Sequence, residues 1–186
     1  FHDGSFDIFD EGGIASAGLE SIAEDGATGA LGAEFEASGT GSAHATVISG
    51  GEIPPFAPGA SNAMTFALDG ASPLSRYLSF ASMVIPSNDA FVASGDPMAM
   101  EIFDEAGNFV GAEMIIVGGQ VWDAGTEVND EVPANTAFLE QAMPNTGDDE
   151  SGTVQLHEGF MAAGNILNAY PAADFLAGGY QVLRIT

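Results

Sequence analysis

Short apolar runs, separated by turn residues, divide most of this chain. The runs that predict strands are 43–49, 63–68, 77–85, 98–103, 109–117 and 180–185. Pairs such as Asp69-Gly70 and Gly118-Gly119 break the chain between them. Short runs bounded by Gly, Pro and Asp are typical of the strands of a sandwich or barrel. The pattern therefore predicts an all-β fold, an antiparallel β-sandwich with short helical insertions.

Three segments before residue 42 carry weaker local signals. Residues 6–9, Phe-Asp-Ile-Phe, predict a short strand. Residues 15–24 have apolar side chains at helical spacing after Ser16, a residue type that caps helix N-termini, and predict one short helix. Residues 26–41 are rich in Gly, Ala and Glu with little periodicity, and predict a surface excursion.

The clearest predicted hairpin joins 98–103 to 109–117. Its connection, Asp-Glu-Ala-Gly-Asn, places Gly107 where a positive φ is needed. Residues 129–152 contain many Asp, Asn and Pro and predict mostly loop, with one helical turn around 136–142. No internal repeat or dividing linker interrupts the chain, so we expect a single domain over residues 1–186.

The charge of the chain restricts its partners. Two Lys+Arg against 27 Asp+Glu give a formal net charge of −25. Nucleic acid is not expected as a partner and anionic membrane surfaces are disfavoured, because phosphate binding needs basic side chains, whereas divalent cations are favoured. A hydrophobic content of 46% separates the chain from acidic disordered tails. The acidic surface, free of lysine, favours secretion into saline or calcium-rich surroundings.

Cysteine is absent, which excludes a disulfide framework and a thiolate metal site. No apolar run approaches the ~18 residues of a membrane span, so direct membrane insertion is not expected. No basic segment precedes an apolar stretch, so the sequence shows no signal peptide, although one removed before residue 1 is compatible with it.

Two apolar runs end in polar turns that carry carboxylates. The first leads to Asn88-Asp89, and the second to Asp123 and Glu127 in Asp-Ala-Gly-Thr-Glu. If the turns converge, their oxygens suit one hard cation, because Ca²⁺ takes six to eight oxygen ligands at ~2.3–2.6 Å. All-oxygen donors favour calcium over zinc. The alternative is that these aspartates only stabilise turns.

These motifs resemble the spondin domain family, which includes the animal extracellular-matrix proteins F-spondin and mindin and many bacterial secreted proteins. The matching segments are 2–9, 17–26, 79–92, 123–131 and 154–185. The resemblance implies a C2-like β-sandwich, an extracellular setting and one calcium ion held between loops. It also implies that Asp89 and Asp123 are metal ligands, and that Glu127 occupies an acidic position in the same loop.

The chain departs from the family in two respects. Members usually have a strand before the segment His-Asp-Gly-Ser-Phe, which here starts at His2. We expect that strand to belong to a longer chain or to be supplied by a neighbour. The cysteines and thrombospondin-type repeats of animal members are also absent.

Other candidate residues have simpler interpretations. His2, His44 and His157 lack metal-ligand spacing and predict structural roles. An EF-hand is excluded because Val128 occupies the required glycine position of a loop starting at Asp123. The acidic run 148–150 predicts a solvated loop, and the sole basic residues, Arg76 and Arg184, predict ion pairs. Trp122 either packs under the metal loop or is an ordinary core residue.

Three functions are compatible with the sequence. The first is a non-enzymatic, extracellular calcium-binding module for adhesion or matrix assembly, with an extracellular protein or glycan as its partner. The second is a filament or surface-layer subunit whose partners are its own neighbouring subunits, joined by strand addition. The third is a glycan hydrolase that uses two carboxylates. It has the least support, because no distinctive motif surrounds a residue that could act as the catalytic acid.

Overall fold

The computed structural model describes residues 1–43, 59–61, 63–111 and 113–186. Within them lie helices α1 (Ala17–Asp25), α2 (Gly29–Ser38) and α3 (Asn165–Ala169), and strands β1 (Ala81–Met83), β2 (Ala90–Ala93), β3 (Met114–Val117), β4 (Trp122–Asp123), β5 (Gln155–Leu156) and β6 (Gln181–Ile185). Single 3₁₀ turns occur at Pro73–Ser75, Gly118–Gln120 and Pro171–Ala173. The predicted strand 43–49 and His44 lie outside the described residues, apart from residue 43.

The strands form two antiparallel sheets. One has the order β1-β2-β4-β5 and the other pairs β3 with β6. In the larger sheet, Ala90 and Phe91 of β2 face Asp123 and Trp122 of β4. The predicted all-β antiparallel fold with short helical insertions is therefore confirmed.

Strand β2 is the centre of the core because both of its faces are covered. Ala90 and Val92 pack in one cluster with residues of and around the β3–β6 sheet, including Ile116, Val121 and Phe175. Phe91 and Ala93 point the other way, since side chains alternate along a strand, and join a second cluster with α1. All four residues of β2 are buried. The larger sheet thus lies between the smaller sheet and a helix.

The predicted helix at 15–24 is confirmed as α1. The Leu19 amide donates to Ser16 Oγ at 3.1 Å, and Gly26 ends the helix with a left-handed φ of 67°. Leu19, Ile22 and Ala23 place a buried stripe against the sheet at the spacing expected of a helix face.

The prediction of a surface excursion at 26–41 was wrong, because this segment contains α2. Leu31 and Phe35, four residues apart, are its two buried side chains. Glu34 ties α2 to the start of α1 by accepting from the Gly18 amide at 2.8 Å and the Ser16 hydroxyl at 2.7 Å. A side chain at Gly18 would collide with Leu31, so glycine lets the helices approach closely.

The predicted strand at 6–9 was also wrong, because this segment pairs with no strand. Its phenylalanines are used for packing instead. The Phe6 ring contacts Phe35 at 4.9 Å between centroids, and Phe9 lies 5.3 Å from Phe91 and 4.9 Å from Trp122. No strand forms among residues 63–68 either.

The predicted hairpin is correct only at its turn. Phe103 pairs with Phe109, and Gly107 has a φ of 79°. Beyond the turn, β3 pairs with β6 and not with 98–103. The loop 129–152 is confirmed, but its predicted helical turn around 136–142 is irregular, with a φ of 63° at Phe138.

Candidate metal centre

The turn between β1 and β2 places Asp89 directly before the buried strand. Ser87 shapes this turn, because its Oγ donates to the Val84 carbonyl at 2.6 Å and accepts from the Ala90 amide at 3.1 Å. Asp89 is 0% exposed. Its carboxylate therefore points into protein and not into solvent.

The loop after β4 wraps around Asp89. The amides of Thr126 and Glu127 donate to Asp89 Oδ2 at 2.8 and 3.1 Å, and the Thr126 hydroxyl donates to the same oxygen at 3.2 Å. Since Ala90 pairs with Asp123 across β2 and β4, the two acidic turns leave the sheet side by side. The predicted convergence of the two Asp-bearing loops is therefore present.

Asp123 is held by its own loop. Its Oδ1 accepts from the Gly125 amide at 2.7 Å, and its Oδ2 accepts from Asn129 Nδ2 at 2.9 Å. Gly125 has a φ of 68° and lies against the backbone of Gly152 and Thr153, so no other residue fits this position without strain. Asp123 is buried, and its negative charge helps to raise the pKa of Asp89.

Glu127 is 1% exposed. Its Oε1 accepts from the Gly147 amide at 3.0 Å, which ties the β4 loop to the acidic loop before β5. A Cβ at Gly147 would overlap the Glu127 carboxylate, so glycine is required for this contact.

Two buried carboxylate oxygens in this region have no hydrogen-bond partner. They are Asp89 Oδ1 and Glu127 Oε2. Buried polar atoms are almost always paired, because an unpaired one loses its hydration without compensation. These oxygens therefore mark a position where a further group belongs.

The electrostatics of the region disfavour several negative charges at once. Burial raises the pKa of Asp89 to about 6, with the charge of Asp123 adding to the rise. Burial raises the pKa of Glu127 to about 8, with the charge of Glu24 adding to it. Like charges in a poorly solvated site favour either a bound proton or a bound cation.

Protein cations do not neutralise this cluster. Arg76 pairs with Glu101 at 2.8 Å and Glu105 at 3.6 Å, and Arg184 pairs with Glu113 at 2.5 Å, as predicted for the scarce basic residues. Burial lowers the pKa of His157, which favours its neutral form. The negative charge of the acidic loops is therefore left to an ion or to protons.

Sequence reasoning missed Glu24, at the end of α1. It is 3% exposed, and burial raises its pKa to about 7, with Thr126 opposing the rise and the charges of Glu20, Asp25 and Asp89 adding to it. The only available signal was a glutamate next to the apolar stripe of an amphipathic helix. That signal is weak, since helix-end glutamates are usually solvated.

Asn88 and Glu131 connect the acidic loops to neighbouring segments through hydrogen bonds. The Glu131 amide donates to Asn88 Oδ1 at 3.3 Å, and Asn88 Nδ2 donates to Asp130. The buried Glu131 carboxylate accepts from the amides of Met161 and Ile166, so its charge is satisfied at the start of α3. Glu131 is therefore a structural carboxylate.

The remaining candidates have local roles. His2 is buried between Ser79 and the Gly4 amide, and His157 Nδ1 accepts from the Gly159 amide. Residues 148–150 are exposed, as expected of a solvated loop. Trp122 both packs on Phe9 and directly precedes Asp123 in β4, so the two interpretations of this residue are compatible.

Calcium fits the donor chemistry of the region, since the unpaired atoms are carboxylate oxygens and the adjoining loops supply carbonyls. Among the described residues, however, no three or more His, Cys or acidic side chains already stand in an arrangement that could hold a metal ion. Binding therefore requires the carboxylates to close around the cation.

In the described part of the chain, no helix is long and apolar enough to cross a membrane.

Comparison with models of known protein families shows which family the chain belongs to. The Spondin_N model matches residues 1–142. The chain belongs to the spondin N-terminal domain family. The match includes Asp89, Asp123 and Glu127 of this spondin domain and ends before β5 and β6, so the resemblance proposed for 154–185 stays a prediction.

Neither curated proteins nor solved structures gave a match to this spondin domain. The spondin N-terminal domain family is not a known family of enzymes.

Proposed function

We propose that this spondin domain is a non-enzymatic, extracellular module that binds Ca²⁺ through Asp89, Asp123 and Glu127. The bound ion would fix the loops at one end of the sheet for adhesion to an extracellular protein or glycan, or for matrix assembly. The observation that carries the proposal is the pair of buried, partnerless oxygens, Asp89 Oδ1 and Glu127 Oε2, while both arginines of the chain are paired with other carboxylates.

The chain's own residues would each make a distinct contribution. Thr126 and Glu127 hold Asp89 Oδ2 through their amides, which leaves Oδ1 for the ion. Gly147 fixes Glu127 Oε1 and leaves Oε2 for it. Asp123 is oriented by Gly125 and Asn129 and still has lone pairs available. A bound calcium ion supplies the positive charge that these loops lack.

Burial argues against the alternative of a carboxylate hydrolase. Asp89 and Glu127 are 0% and 1% exposed, so a sugar ring cannot reach between them. Two surface cavities, of about 270 and 360 Å³, lie elsewhere and are lined by Arg76, Phe103 and their neighbours and by Pro133, Asn165 and theirs. Neither cavity includes the acidic cluster. No described contact favours the filament alternative.

Calorimetric titration with Ca²⁺, alongside melting in calcium, magnesium and chelator, tests the proposal. With a Kd of ~10⁻⁴–10⁻³ M, as in extracellular modules, a hundredfold excess of Ca²⁺ stabilises by about 2.7 kcal/mol, a shift of a few degrees. Asp89→Asn and Asp123→Asn should each remove most of this shift. Asp148→Asn, an equal charge change on an exposed residue, should keep it. A chelator-insensitive wild type would refute the proposal.

A further inference from the structure

Glu24 is a carboxylate among otherwise apolar buried residues of its helix. The other buried residues of α1 are Gly18, Leu19, Ile22 and Ala23. A buried carboxylate is costly unless it is paired with a cation or receives strong hydrogen bonds. No ion pair involves Glu24 among the described residues.

Glu24 lies against both acidic loops. After burial, its charge contributes most to raising the pKa of Glu127. It also interacts with Thr126 and with the charge of Asp89. Helix α1 therefore brings a buried carboxylate to the place where the β1–β2 turn and the β4 loop meet.

The unpaired oxygens of Asp89 and Glu127 provide an independent indication of a ligand there. Both residues are almost completely buried, and each leaves one oxygen without a partner. Three buried carboxylates from three separate elements thus lie close enough for their charges to interact, and two of them leave one oxygen unpaired. A proton can satisfy only one pair of oxygens, whereas Ca²⁺ can bind all three side chains.

We propose that Glu24 is a further ligand of the cation, so that ion binding ties α1 to the two acidic loops. This inference rests on the proposed calcium site and adds a ligand from outside the two loops. The bound ion would then also hold α1, the helix that packs over β2, in place. Since the carboxylates do not yet form a metal-holding group, α1 and the loops must close as the ion binds.

The end of α1 is already connected to a third loop that would move with it. The Asn145 amide donates to Asp25 Oδ2 at 3.1 Å, and Gly147, two residues later, donates to Glu127. Closure around Glu24 would therefore draw in the loop at 143–150 together with the helix.

Calorimetry on Glu24→Gln tests the assignment. The variant is isosteric and removes a buried charge, so it should fold, and its calcium affinity should fall by at least ~10-fold, the loss typical of removing even a supporting carboxylate. Glu36→Gln, the same change on the exposed face of α2, should bind as the wild type does. Equal affinity of Glu24→Gln and wild type, with Asp89→Asn inactive, would overturn the inference and leave the calcium site intact.

Hydrogen exchange of the unmodified protein provides a second test that needs no variant. Calcium should slow exchange of the amides in the last turn of α1, from Ile22 to Gly26, as well as those of the loop at 123–127. Protection confined to the loop would overturn the inference. A wild type that binds no calcium in the titration would overturn both this inference and the proposed function.

Discussion

Asp89 connects the two acidic turns through a single oxygen. Oδ2 accepts from Thr126 twice and from Glu127 once, while Oδ1 has no partner. This asymmetry orders the loop before any ion arrives, and leaves Oδ1 to respond to one. Glu127 repeats the arrangement with Gly147. Individual residues in this region thus combine a structural contact with an unsatisfied atom.

In the absence of a cation, the protein should lose stability as the pH rises from about 4 to about 8. The folded-state pKa values of Asp89, Glu24 and Glu127 are raised to about 6, about 7 and about 8. Between the ordinary and raised values, the folded state holds protons that the unfolded state has lost. Stability is therefore full below the ordinary pKa values, falls as the pH rises towards each raised value, and levels off above it.

Urea denaturation in chelator across this pH range measures the loss. Glu127→Gln should flatten the alkaline part of the profile, because it removes the group with the highest of these pKa values. Saturating calcium should reverse the trend, since the ion binds the ionised carboxylates. A chelated wild type that gains stability from pH 6 to pH 8 would contradict the raised values of Glu24 and Glu127.

Replacing Gly147 tests the support of Glu127. The added methyl group of Gly147→Ala would overlap the Glu127 carboxylate, so we expect a loss of ~1–3 kcal/mol in unfolding free energy and weaker calcium binding. Gly119→Ala, at a position with open space around it, should change neither quantity. If both variants behave alike in urea titrations, the close approach at Gly147 is not important for stability.

At the scale of elements, β2 joins the core to the site. Its four residues are buried on both faces, and Asp89 immediately precedes it. Strand β4 lies beside it and ends in Asp123, so one pair of strands positions both aspartates. The buried core therefore fixes the positions at which the two loops begin.

Phe91→Ala should destabilise the protein by ~3–5 kcal/mol, because Phe91 is 0% exposed and contacts Phe9 in the core. Phe109→Ala, at a residue that is 72% exposed, should cost little. Thermal and urea denaturation of the two variants measure the difference. Similar losses would show that β2 is not the centre of the core.

The sequence predicted those elements whose signals are local. Ser16 before an apolar stripe identified α1, Gly107 identified a turn, and the short, largely apolar run 180–185 identified β6. Asp89 and Asp123 were singled out because each follows an apolar run, and Glu127 because the family resemblance places an acidic residue in the same loop. Helix α2 was missed because its packing depends on two apolar residues and a partner helix.

The remaining differences are tertiary in origin. Strands β4 and β5 contain only two residues each, too few for a periodic pattern, and exist because of their neighbours in the sheet. The role of Glu24 depends on which element faces the end of α1, which no single-sequence pattern specifies. The single-domain assignment and the missing first strand stay predictions, and residues 6–9 offer no strand edge to which one would add.

At the scale of the whole molecule, the net charge of −25 opposes compactness. Sodium chloride should raise the melting temperature gradually, as screening increases. Calcium at the same ionic strength should add a further shift that saturates in the millimolar range, because it occupies a site. Differential scanning calorimetry separates the two, and Asp89→Asn should retain only the gradual part. Identical responses to both salts would indicate screening alone.

The backbone hydrogen bonding at both arginines affects how easily a protease can cleave the chain. The sequence contains no lysine, so a trypsin-like protease has only the bonds after Arg76 and Arg184 to cleave. The Arg76 carbonyl accepts from Ile102 and Phe103, and Arg184 lies within β6 opposite Ile115. Cleavage needs an accessible, unpaired segment, which neither site provides while the protein is folded. Cleavage by such an enzyme would therefore report local unfolding at Arg76 or Arg184. The fully folded protein should be largely resistant to trypsin.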